Sequence, residues 1–451
     1  MKIEQRSRID HRPKCSGTVA SALDQLPKPD GLPSLLDVLS RSNMQRAMRR
    51  VISNKGAAGS DGMTVEELPE HLKEHWPSIR SQLLEGTYKP KPVRVVYIPK
   101  PKGGERMLGI PCVVDRLIQQ AISQTLSDFF DPTFSDSSFG FRPRRNAHQA
   151  IQQAKRHQSE GLTTTVDIDL EKFFDRVNHD VLMGIIGRQL KDPSLLRLIR
   201  RYLNTGMMTE GLYVKREVGT PQGSPLSPLL SNIMLDVFDK ELERRGLKFC
   251  RYADDCNVYV GSQRAGRRVL MSLTSFLEDR LRLKVNAEKS GVRPSWKCNF
   301  LGYSFLGAKN PRIRCSTESI ERLKDRVRQI TRGHDRSKPM ERRLEELNTY
   351  LRGWCGYFRL AETHRKFADI DGWIRSRLRM CRMKQWFKPR TRIREMMKLG
   401  LPREEAIGYG RHKRWWFYAQ LHQTRFFLND KYWEDLGFIG ITGHMRRLGN
   451  T

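Results

Sequence analysis

The run Phe249-Cys250-Arg251-Tyr252-Ala253-Asp254-Asp255-Cys256-Asn257-Val258-Tyr259-Val260 decides the reading of this chain. Two β-like segments flank an acidic pair, so 249–260 reads as a hairpin with Asp254-Asp255 at its tip. An isolated Asp-Asp pair is usually just a turn, because short carboxylates cap nearby amides. A second acidic site upstream shifts that balance. Residues 162–168 are β-branched and apolar, the pattern of a buried strand, and run into Asp167-Ile168-Asp169-Leu170. The two sites lie 85 residues apart, so a tertiary fold has to unite them. Carboxylates from adjacent strands suit two hard divalent ions about 4 Å apart, the arrangement that in-line displacement at phosphorus requires.

Outward from these sites, 34–52, 115–130, 147–157, 181–203 and 265–283 carry helical spacing, while 90–111 alternates like a hairpin around Gly103-Gly104. Residues 1–33 are rich in Pro, Ser and charge and read as a loose arm. After Arg314 the pattern becomes helical throughout. Ile320, Leu323, Val327 and Ile330 form one stripe; Leu344, Leu347, Leu351, Trp354 and Phe358 form the next, with a turn or linker at 332–339 between them. A third stripe, Ile370, Trp373, Ile374, Leu378 and Cys381, shares its helix with Arg375, Arg379 and Arg382 on another face. These stripes predict helix-on-helix packing.

The chain has 451 residues and carries 82 Lys and Arg against 50 Asp and Glu, a net charge of +32. Such a protein repels itself unless it meets a polyanion, and nucleic acid is the leading candidate. The charge is densest late: residues 365–414 hold sixteen Lys and Arg against five Asp and Glu, and Trp386, Trp415 and Trp416 interleave aromatic rings with it, while Trp373 reads as core. Guanidinium groups pair with phosphates and stack on unpaired bases, as structured RNA demands. No apolar run nears the ~20 residues of a spanning helix, so no membrane partner is expected. The eight cysteines include no Cys-x-x-Cys pair, which argues against a zinc module and for reduced thiols in a cytoplasmic protein.

The blocks together resemble a known family. Tyr252-Ala253-Asp254-Asp255 is similar to the catalytic turn of reverse transcriptases, and Asp169-Leu170-Glu171-Lys172-Phe173-Phe174-Asp175 to their first acidic motif. Thr220-Pro221-Gln222-Gly223-Ser224-Pro225-Leu226-Ser227-Pro228 resembles a block of group II intron reverse transcriptases; Asn286, Lys289 and Phe300-Leu301-Gly302 follow in the family's order. The resemblance implies an α+β right-hand polymerase in which fingers and palm are built on antiparallel sheet, followed by a helical thumb and a basic helical maturase domain. Asp169 and Asp254 would bind two Mg²⁺ ions, with Asp255 assisting and the Leu170 carbonyl as a backbone ligand. Asp167 shares the face of Asp169 but stands outside the family's metal set. Phe174 would exclude a ribose 2′-hydroxyl, with Phe173 in the core. Lys100, Arg106, Gln222 and Lys289 would contact the incoming nucleotide. Lys102 reads as merely solvated.

The expected division is an arm at 1–33, fingers and palm at 34–315, a thumb at 316–362 and a maturase-type segment at 363–451. In that last segment Arg375, Arg379, Arg382, Lys384, Arg411, Lys413 and Arg414 would grip RNA. The expected partners are group II intron RNA, an RNA template with its DNA primer, target DNA and deoxynucleoside triphosphates. The expected function is RNA-directed DNA synthesis during intron mobility, with assistance to splicing; a domesticated relative serving repair or defence is the alternative. A splicing factor with a dead palm is disfavoured by intact Asp169, Asp254 and Asp255. The chain ends without room or cysteines for an HNH endonuclease, so second-strand nicking is not expected and the primer would come from elsewhere.

Overall fold

A computed structural model describes residues 31–99, 103–209, 212–214, 219–220, 223–307, 310–332, 338–412 and 424–449. Lys100, Lys102, Gln222, Lys413, Arg414, Trp415 and Trp416 lie outside them.

Among the described residues, ten strands form three sheets. β1 (Val93–Pro99) and β2 (Glu105–Ile110) make the expected hairpin, turned by Gly103 and Gly104 at φ +90° and +77°. β4 (Met207–Thr209) joins β1 in parallel, and β5 (Leu212–Val214) closes that sheet. The central sheet holds β3 (Thr164–Ile168), β6 (Lys248–Tyr252), β7 (Asp255–Val260) and β8 (Gly291–Pro294) in the order β6-β7-β3-β8, antiparallel throughout. β9 (Tyr303–Leu306) pairs with β10 (Arg312–Cys315) as a separate ribbon.

The central sheet is sandwiched, and its alternation says how. Val166, Ile168, Cys256, Val258 and Val260 point to one side and join an apolar core shared with helices Arg41–Ser53 and Val113–Phe130. Helices Gln263–Leu281 and Ser227–Arg244 cover that side. Tyr259 points the other way, into a second core made with helices Thr317–Ile330, Met340–Tyr357 and His364–Gln385. Thr165, Asp167 and Asp255 alternate with the apolar set, so they share Tyr259's face, and Asp169 continues it. One end of this face is therefore apolar and covered, and the other is acidic.

The three C-terminal stripes pack as expected: Leu323, Val327, Leu347, Leu351, Ile374 and Leu378 are all buried in the second core. That core is continuous from helix Thr317–Ile330 through helix His364–Gln385, with no break in the interior at residue 362. One helix expectation is corrected. Residues 181–203 form two helices, His179–Gln189 and Pro193–Leu203, because proline disfavours a helical residue before it. Asp192 starts the second, its carboxylate accepting from the amides of Ser194 and Leu195 at 2.8 and 3.1 Å.

The open guanidinium row is also corrected. Arg379 is only 3% exposed, and burial lowers its pKa to about 10. Arg375 pairs with Asp430 at 2.8 Å, and Arg382 donates to the Tyr432 hydroxyl at 2.7 Å. Arg375 and Arg382 thus tie helix Asp430–Asp435 to the body, and Arg379 is buried, so the three do not line a free surface. No helix of the described residues is long and apolar enough to cross a membrane.

Candidate active site

The register of the central sheet brings the two acidic motifs together. β3 pairs with β7 through Ile168↔Cys256, so the next step along the ladder sets Asp169 level with Asp255. β6 and β7 end at Tyr252↔Asp255, leaving Ala253 and Asp254 as a two-residue turn. Ala253 sits at φ +59°, a left-handed conformation that side chains with a Cβ rarely adopt. Something must hold it there.

That something is Arg251, which is 1% exposed. Its guanidinium donates to both oxygens of Asp239 at 2.7 and 2.6 Å, to Asn232 Oδ1 at 3.1 Å, to Ser138 Oγ at 2.8 Å and to the Ala253 carbonyl at 2.8 Å. Asp239 is fully buried, and the pair satisfies the two charges mutually. Asn232 in turn donates to the Gly140 carbonyl at 2.9 Å. Gly140 lies against the turn so closely that a Cβ there would stand 2.2 Å from the Ala253 nitrogen. Arg251, Asp239, Asn232 and Gly140 escaped the sequence reading. A lone Arg before a known motif gives no sign of where its five donors go.

Asp169 is clamped from the other side. Its amide donates to Ser290 Oγ at 3.0 Å, and its carbonyl accepts from the Asn286 amide at 2.8 Å. The Asn286 contact and the Glu171 amide on Lys284 form a bridge around Leu170 and Val285. Leu170 is the non-hydrogen-bonded member of that bridge, which leaves its own carbonyl unused by the bridge. Lys289 Nζ reaches Asp169 Oδ1 at 3.5 Å. Phe173 is buried in the first core, while Phe174 is partly exposed and lines a cavity with Gly223 and Ser224.

Electrostatics mark this face. Burial pushes the Asp255 carboxyl up to about 8, and the charges of Asp167, Asp254 and Asp169 add to it. Burial also raises Asp167, to about 6, against the opposing charge of Arg293 at 3.5 Å. Asp254 is raised by burial and by Asp169, and Arg106 and Arg251 offset part of that. Arg106, exposed on β2, thus acts electrostatically on the acidic turn. Among the described residues no three His, Cys, Asp or Glu side chains form a metal cage. An ion here would complete its shell from a backbone carbonyl and phosphate oxygens. Mutually repelling carboxylates with open coordination fit a hard divalent cation bound together with its substrate. Of the residues expected to meet RNA, Arg411 is exposed and Lys384 half-buried.

An antiparallel sheet with carboxylates on adjacent strand ends and a basic hairpin whose Arg106 acts on them defines a nucleotidyl-transfer palm. Residues 98–305 match the family Reverse transcriptase (RNA-dependent DNA polymerase), and 320–400 match Group II intron, maturase-specific domain. Protein YkfC of Escherichia coli is 32% identical, over 55% of this chain and 76% of its own length. The group II intron-encoded protein LtrA of Lactococcus lactis is 29% identical, over 70% of this chain and 68% of its own. The putative COX1/OXI3 intron 1 protein of Saccharomyces cerevisiae is 27% identical, over 66% of this chain and 42% of its own. The chain belongs to the group II intron-encoded reverse transcriptases: it is an RNA-directed DNA polymerase with a maturase role in splicing. Its ligands are nucleic acids, intron RNA among them, and its family uses divalent metal ions.

Proposed function

We propose that this protein extends a DNA primer on intron RNA from a two-Mg²⁺ site held by Asp169, Asp254 and the Leu170 carbonyl, with Asp255 assisting. The observation that carries this is the meeting of Asp169, Asp254 and Asp255 at one end of the β3–β7 ladder, with the charge of Arg106 acting on Asp254. When bound, the ions supply activation of the primer 3′-hydroxyl and neutralise charge on the pyrophosphate. Arg106 and Lys100 bind the triphosphate, an Arg fork and a Lys point charge being suited to a leaving phosphate. Lys289 holds positive charge beside Asp169, and Gln222 shapes the pocket. Phe174 fills the space beneath the sugar and so excludes a ribonucleotide.

The division into arm, fingers and palm, thumb and maturase segment at 33, 315 and 362 belongs to this reading. So does the RNA grip of Lys384, Arg411, Lys413 and Arg414, to which the exposed Lys388 and Arg390 are natural additions. Arg375, Arg379 and Arg382 act by packing this surface. The intron RNA is copied into target DNA in the cytoplasm, where the seven buried, unpaired cysteines of the described residues stay reduced.

The test is primer extension on an RNA template with purified protein and Mg²⁺. Asp169→Ala or Asp254→Ala should each lower the rate by several orders of magnitude. Near-normal extension by either variant would remove that residue from the site.

A further inference from the structure

Phe141 is a large aromatic residue with no role in the site described above, yet it is 53% exposed and held at φ +59°. Bulky residues rarely adopt a left-handed backbone, and an exposed ring gains nothing from burial there. Its neighbours hold it in place. On one side the Gly140 carbonyl accepts from Asn232 at 2.9 Å, and Gly140 seats on the catalytic turn. On the other, the nearly buried Arg142 donates to Asp131 Oδ1 at 2.7 Å, to the Asp131 carbonyl at 2.9 Å and to the carbonyls of Ser135 and Ser138 at 2.5 and 3.0 Å.

The ring does not face open solvent alone. Phe141 lines a cavity of about 470 Å³ with Phe174, Gly223, Asn54, Gln120 and Arg116. Two aromatic groups, side-chain amides and a guanidinium suit a nucleobase, which offers one π-face and a polar edge. We infer that Phe141 is a second wall of the nucleotide pocket and contacts the base of the incoming deoxynucleotide, while Phe174 meets its sugar. The inference rests on the proposed reading of Asp169, Asp254 and Phe174.

Single-nucleotide incorporation by Phe141→Ala, Phe141→Gly and Phe141→Tyr tests it, with wild type and Asp254→Ala run beside them. Loss of extension in Asp254→Ala checks the underlying site independently. Gly suits the left-handed backbone, so that variant guards against a folding artefact. Phe141→Ala and Phe141→Gly should raise KM for the nucleotide about tenfold, the scale of a lost base–aromatic stack. Their kcat should stay within about threefold of wild type. Affinity for the primer–template should not change, and Phe141→Tyr should restore KM. An unchanged KM, a loss confined to kcat, or a loss of primer–template affinity would each overturn the inference. So would loss of the cooperative melt in both the Ala and Gly variants.

Discussion

Burial favours the protonated form of the Asp255 carboxyl and, more weakly, that of Asp167. Their carboxyls are pushed up to about 8 and about 6, and burial raises Asp254 as well. A raised carboxylate pKa means the metal-free face holds protons at neutral pH, and divalent binding needs the ionised form. The sign follows: apparent Mg²⁺ affinity of the free protein should rise as pH rises from about 6 to about 8, and binding at pH 7 should release protons. Calorimetric titration in buffers of different ionisation enthalpy reads that release directly. Asp255→Asn should remove most of it. A flat affinity across this window would show that these carboxyls are already ionised. At this scale the sequence was partly informative. Asp169, Asp254 and Phe174 stood out because motif context names them; Ser290, which receives the Asp169 amide, did not, since a serine in a loop has no spacing to betray it.

The β6–β7 hairpin works as an element because its turn is braced from outside. Gly140 fits against Ala253 with no room for a side chain, a Cβ lying 2.2 Å from backbone nitrogen. Backbone cannot swing aside as a long side chain can, so Gly140→Ala should displace Ala253 and with it Asp254. Primer extension should fall about a hundredfold or more, as misplacement near 1 Å does in positioned chemistry. Binding of intron RNA should persist. Extension within about twofold of wild type would mean that the turn tolerates the shift. Breaking the buried Arg251–Asp239 pair is a harsher change, since an orphaned buried charge costs about 3–5 kcal/mol. The hairpin itself, the Gly103-Gly104 turn and the C-terminal stripes were legible because their periodicities are local. The break at Asp192-Pro193 was missed, because apolar spacing across 181–203 masked the Asp-Pro signal. The arginines on helix His364–Gln385 were misread for another reason. Periodicity finds the faces of a helix but does not say what covers them, and here helix Asp430–Asp435 does.

At the scale of the whole molecule, the proposed reading assigns DNA synthesis and RNA grip to different parts of the fold. Asp254→Ala should abolish extension yet leave protein-assisted splicing intact at near-physiological Mg²⁺. Lys388, Arg390 and Arg411 are exposed, so replacing all three with Ala should spare extension on a generic primer–template and weaken intron binding. Each lost phosphate contact should also flatten the log–log salt dependence of binding by about one unit. Equal loss of both activities in the triple variant would make this surface a general template grip. The +32 charge announced a polyanion but not where it binds, because composition has no address.

The central sheet has one further consequence. Val258 and Val260 face one core while Asp255 and Tyr259 face the opposite way, so the strand has two non-interchangeable sides. A slip of β7 by a single residue would push Asp255 into hydrocarbon and leave valines in the acidic cleft. Misregistered chains are thus both unstable and inert. The same alternation that selects the native pairing also assembles the chemistry, and partly folded palms with residual polymerase activity should not accumulate.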